Sequence, residues 1–119
     1  MKSFLKKYIN KFKYAFDGLY AGLRHDRSIA LQGLIGLAVI AVCGWLRLSW
    51  LEWMVIIAMI LLVLGTEFIN SAMEELCDAL YPEYDVRAKK IKDYAAAAVL
   101  LFAILAAVVG LTVIGGKLF

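Results

Sequence analysis

The sequence has a single proline (Pro82), a single histidine (His25) and two cysteines (Cys43 and Cys77). With one helix breaker in 119 residues, long uninterrupted helices are open to almost the whole chain. Cys43 lies in an apolar run and Cys77 in a mixed stretch, so the two read as small hydrophobes rather than as a disulfide. His25 reads as a solvated side chain. No glycine-rich phosphate loop, Walker motif or protein-kinase signature is present. The opening residues, Met1 to Phe16, lack the continuous apolar core and small-residue cleavage site of a signal peptide, and nothing resembles a linker or a low-complexity tail.

Apolar residues are what the chain has in excess. They make up 64% of it, whereas soluble domains carry about 45–50%. A soluble fold of this size cannot hide so much apolar surface, because small domains leave much of their surface exposed. The expectation is one domain, residues 1–119, of an all-α membrane protein.

Residues 4–23 read as an amphipathic helix lying in the membrane interface. Phe4, Tyr8, Phe12, Phe16, Leu19 and Leu23 share one sector of the wheel, and Lys6, Lys7, Lys11 and Lys13 lie outside it. Tyr14 departs from this pattern and projects from the polar face. Three spans follow, at about 29–47, 51–80 and 94–115, the second continuing beyond the membrane until Pro82 ends it. Trp45, Trp50 and Trp53 cluster at the first turn, where tryptophan suits the headgroup region. The third span carries Ala95 to Ala98, Ala103, Ala106, Ala107 and Gly110, a surface that lets helix backbones approach closely. Other copies of the chain are among its expected partners. Eleven of the thirteen lysines and arginines lie before the first span or between the second and third. The positive-inside rule then places the N-terminus in the cytoplasm.

Glu67, Asn70, Glu74 and Asp78 fall within roughly 80° of one another on a helix and form one stripe. Glu74, Glu75 and Asp78 are compatible with a helix that has left the membrane and is solvated. Glu67 is not, because it lies roughly 24 Å along the span from Leu51, at the edge of a 30 Å apolar core. Asp26 adds an acid at the same level, and Lys92-Asp93 stand where the third span enters. Such a set has acids for a divalent cation, a lysine for phosphate charge and a buried acid as a base, the parts that phosphoryl transfer needs.

The order and spacing of Glu67-Phe68-Ile69-Asn70-Ser71-Ala72-Met73-Glu74, Asp78 and Lys92-Asp93-Tyr94-Ala95-Ala96-Ala97-Ala98-Val99 closely resemble the bacterial diacylglycerol kinase / undecaprenol kinase family. Ala15, Gly18 and Asp26-Arg27 extend the resemblance over nearly the whole chain. It implies a lipid kinase that uses ATP and Mg2+ and assembles as a homotrimer with sites shared between chains. By resemblance, Glu67 is the catalytic base and Asn70 orients it or the transferred phosphate. Asp26 and Glu74 hold magnesium, and Lys92 contacts phosphates. Asp93, Glu83, Tyr84 and Asp85 lie near the nucleotide, Tyr14 is an aromatic nucleotide contact, and Lys7 is a weaker phosphate contact.

The chain departs from the family in having Asp26 where glutamate is usual and Gln32 where many relatives have histidine or glutamate. Ala88 to Asp93 and Leu51-Glu52-Trp53 look more like the undecaprenol-kinase branch, which makes undecaprenol the favoured acceptor and diacylglycerol the alternative. The expected location is the bacterial cytoplasmic membrane, with no nucleic acid as partner. A non-enzymatic membrane protein, such as a pore-former or an assembly subunit, is the rival from another class. It has no use for Asn70, Lys92 and Asp93 together with the acids.

Overall fold

A computed structural model describes residues 1–119 and contains only helices: α1 (Lys2–His25), α2 (Arg27–Leu46), α3 (Trp50–Leu80) and α4 (Val86–Leu118). α2, α3 and α4 are each long and apolar enough to cross a membrane. At 1.5 Å per residue α3 extends about 46 Å and α4 about 50 Å, so both outrun a 30 Å hydrocarbon core. Their polar residues collect where the two helices leave that core.

The ends of the helices follow from local chemistry. Asp26 breaks the helical path (φ −100°, ψ 119°), ends α1 and caps α2 by accepting from the Ile29 amide at 3.0 Å. α2 ends at Arg47, whose left-handed backbone (φ 57°) turns the chain within three residues into α3. Ser49 and Glu52 then form a capping box: the Glu52 amide donates to Ser49 Oγ at 3.2 Å and the Ser49 amide donates to Glu52 Oε1 at 2.9 Å. Tyr81-Pro82 ends α3, because proline supplies no amide hydrogen to continue the ladder. Asp85 caps α4, accepting from the Arg87 amide at 2.7 Å. α4 thus begins eight residues before the third apolar span, which puts Lys89, Lys92 and Asp93 on the helix itself.

Packing is sparse. Only 8 of 119 residues are buried, and the chain forms a slab of 51 × 46 × 22 Å. Its radius of gyration is 17.6 Å, against about 13.5 Å for a compact soluble domain of this length. A chain so rich in apolar side chains and so poor in core is covered by lipid, and the protein is a multi-pass membrane protein. α3 and α4 run antiparallel as the best-packed pair. Gly36 lets α2 approach α3: a Cβ there would lie 2.9 Å from Ile60 Cγ2. Gly22 does the same for α1, where a Cβ would run into the Phe68 ring of α3. These two contacts carry the α1–α2 junction, and with it Asp26, to the polar end of α3.

Candidate functional site

Ile56, Ile60 and Val63 form the inward seam of α3, at spacings of four and three, and Glu67 is the next position of that seam. Ile56, Val63 and Glu67 are all buried, and Glu67, 6% exposed, is the only charged side chain in the molecule that is. An apolar seam therefore runs directly into a carboxylate. The next two turns of the helix add Asn70, Ser71 and Glu74, so polar groups continue along the same face. Burying a carboxylate is costly without a partner, and no lysine or arginine pairs with Glu67. Its polar neighbours are Gln32 of α2, Asp26 and Glu74.

Each of the groups around Glu67 is held by a specific partner. Asp26 accepts the Ile29 amide on Oδ1 and the Ser71 hydroxyl on Oδ2, the latter at 2.6 Å. The Ser71 hydroxyl, followed by the Ile29 amide, holds the Asp26 carboxyl below the usual carboxylate range. The Asn70 side-chain amide donates through Nδ2 to Glu74 Oε1 at 3.1 Å. That leaves Asn70 Oδ1 buried and without any hydrogen-bond partner, the single such atom in the chain. α4 brings Lys92 across to α3, where its Nζ meets Asp78 Oδ1 at 2.6 Å and has Glu74 nearby.

The structure therefore gathers Asp26, Glu67, Asn70, Glu74 and Lys92 from three elements. The remaining expected residues are not drawn into this group. Asp93 pairs with Lys89 at 2.6 Å on the exposed side of α4. Asp85 is engaged as the α4 cap and pairs with Arg87 at 3.3 Å, and these bonds hold its carboxyl below the usual range. Tyr14 (65% exposed), Tyr84 (81% exposed), Glu83 and Lys7 stand in the open, with no hydrogen bond or ion pair to the cluster. Ser71 is a residue that sequence reasoning passed over. The signal was available: it is one helical turn from both Glu67 and Glu74, and Asp26 just ahead of an apolar run reads as an N-cap. Asp78, compatible from sequence with a merely solvated position, is the partner that holds Lys92.

Fold and site together define a class: a small helical membrane protein with an oxygen-rich, lysine-flanked cluster where its spans meet the polar phase. The profile of the prokaryotic diacylglycerol kinase family matches residues 13–114, and the chain belongs to that family. It is 32% identical over 115 residues to the undecaprenol kinase of Bacillus subtilis, covering 96% of this chain and 93% of that protein. It is 30% identical over 95 residues to the diacylglycerol kinase of Escherichia coli, covering 80% and 78% respectively. The diacylglycerol kinase of Synechocystis is 35% identical over 100 residues, covering 83% of this chain and 57% of that protein. The protein is a lipid kinase, and the non-enzymatic reading falls away.

Proposed function

We propose that this kinase transfers the γ-phosphoryl group of ATP to undecaprenol, giving undecaprenyl phosphate, at a site built around Glu67. The observation that carries the proposal is a lone buried carboxylate at the end of an apolar seam, beside an unpartnered amide oxygen and a lysine held across from α4. An alcohol whose tail stays in the bilayer presents its hydroxyl at that level. Glu67 accepts the hydroxyl proton as the oxygen attacks the γ-phosphorus, and the bond from that phosphorus to the β-bridging oxygen breaks as ADP leaves. Asn70 orients Glu67 or the phosphoryl group. Lys92, released from Asp78, takes up phosphate charge.

Asp26 and Glu74 suit Mg2+. The ion is a hard cation that takes one or two carboxylates and fills its other positions with water and substrate phosphates. The buried, unpaired Asn70 Oδ1 adds a hard oxygen to the same set. When bound, the metal neutralises charge on the transferring phosphates. Asp93, Glu83, Tyr84, Asp85, Tyr14 and Lys7 are proposed to line the nucleotide. Within one chain none of them bonds to the cluster, which fits a site completed by a neighbouring copy in a homotrimer. The exposed Phe4, Phe12 and Phe16 of α1 fit a helix lying in the interface, with the N-terminus on the cytoplasmic side of the bacterial cell membrane.

Undecaprenol is favoured over diacylglycerol because the undecaprenol kinase relative aligns over nearly all of both chains. The test is purified protein with Mg-ATP and each alcohol in parallel. Faster phosphorylation of undecaprenol is expected. Equal or faster phosphorylation of diacylglycerol would assign the other acceptor.

A further inference from the structure

Asn70 and Ser71, adjacent on α3, each hold one of the two carboxylates assigned to the metal: Asn70 Nδ2 donates to Glu74, and the Ser71 hydroxyl donates to Asp26. The contact to Asp26 is the shorter of the two, 2.6 Å, and it ties residues 45 positions apart in sequence. Asp26 sits in non-helical backbone between two helices, with its amide bonded to the Gly22 carbonyl and its carbonyl to the Ala30 amide, so the backbone is held and the side chain is oriented by its own partners. Its carboxylate has about four acceptor positions; Ile29 and Ser71 take one on each oxygen, which leaves capacity for a further ligand. A hydrogen bond from an uncharged hydroxyl fixes the plane of the carboxylate without neutralising it. A lysine in the same place would have cancelled the charge that a cation needs.

From this geometry we infer that Ser71 is a positioning residue for Asp26, orienting that carboxylate towards a divalent cation shared with Glu74. The inference rests on the proposed metal role of Asp26. It assigns to Ser71 no contact with substrate. Partners that orient metal-binding carboxylates typically change metal affinity or activity by about 10–100-fold when removed. Alanine is well tolerated in a helix, so Ser71→Ala removes the hydroxyl without a helical penalty.

The experiment uses the full chain in detergent or nanodiscs. Mn2+ binding is read by electron paramagnetic resonance in the presence of a non-hydrolysable ATP analogue, alongside the Mg2+ dependence of turnover. Ser71→Ala is expected to weaken Mn2+ binding about 10-fold or more and to raise the Mg2+ concentration for half-maximal rate by a similar factor. The KM for the lipid alcohol stays unchanged, and Ser71→Thr, which keeps the hydroxyl, restores the metal constants. Unchanged Mn2+ binding in Ser71→Ala overturns the proposal, even if melting temperature or turnover falls, because a purely structural latch would behave that way. Asp26→Asn separates the two levels of the argument. If Asp26→Asn also binds Mn2+ normally, the metal role of Asp26 fails and takes the proposal with it. If Asp26→Asn abolishes binding while Ser71→Ala leaves it intact, the positioning role alone is wrong.

Discussion

The two ends of the α3–α4 pair are built from the same materials and put them to different use. At the turn end, Glu52 closes the Ser49 capping box and also accepts Lys117 Nζ at 2.8 Å. At the site end, Asp78 accepts Lys92 at 2.6 Å, but about three turns back along α3 Glu67 is buried with no cation, and Asn70 Oδ1 has no partner at all. Glu52 thus serves structure: its Oε1 accepts both the Ser49 amide and Lys117, joining the start of α3 to the end of α4. The site end keeps groups in reserve. An unsatisfied buried polar atom has a cost in free energy, and chains tolerate it where a substrate or ion supplies the missing partner.

The sharpest way to break this comparison is to neutralise one acid at each end. Glu67→Gln is expected to lower kcat by about 10²–10⁴ while the protein remains folded, as loss of a general base does. Glu52→Gln should keep kcat within about twofold, since it touches no part of the site. Comparable losses in both variants, read as turnover of the lipid alcohol at saturating Mg-ATP, would erase the distinction.

A smaller effect is expected from the two lysines of α4. Lys92→Ala should lower kcat/KM for ATP by about 10²-fold, as removal of a charged phosphate contact does. Lys117→Ala should leave kcat/KM unchanged and shift the melting temperature by only a few degrees. A Lys117→Ala variant that binds ATP poorly would make the turn end functional after all.

The approach of α2 to α3 tests what carries Asp26 to the site. Gly36→Val places methyl groups against Ile60, whose Cγ2 already lies 2.9 Å from the position of a Cβ. A loss of about 1–3 kcal/mol in stability is expected, with kcat/KM falling further as Asp26 moves away from Ser71. Denaturant or thermal unfolding in detergent, run beside the kinase assay, reads both.

The smallest expected effect is an acid-side one at Asp85. Its bonds to Arg87 depress the folded pKa, so the stabilisation from this cap is complete above the unfolded carboxylate value, near 3.9. It is lost as pH falls through the lower folded value. Asp85→Asn keeps a capping side chain but cannot titrate, so its stability should vary less with pH below about 4. If stability between pH 5 and 3 falls equally in both proteins, the cap contributes nothing to the acid limb.

Much of this architecture is legible because membrane helices announce themselves through composition. Three apolar runs, a tryptophan-flanked turn and Pro82 point to three helices long enough to cross a membrane, and the structure has three. The stripe from Glu67 to Glu74 is equally readable, since residues three and four apart share a face of any helix. The start of α4 at Val86 was harder to place, because hydropathy marks where a helix enters lipid and is silent on its polar turns. Ser71 escaped notice for a related reason: a hydroxyl gains significance only from the acid it meets, and that acid is 45 residues away.

By itself, then, the sequence determined a membrane-embedded chain of helices with a line of acids at one end. Local periodicity and the insolubility of apolar surface in water require no knowledge of what packs on what. Only the tertiary structure decided which acids come together and which are paired elsewhere. It buried Glu67 and left Asp78 to hold Lys92, and it joined Asp26 to Ser71 while satisfying Glu52 at the far end. Those choices depend on contacts between elements: α3 packing on α4 sets the lysine pairs, and Gly22 and Gly36 let α1 and α2 close on α3 to bring Asp26 to Ser71.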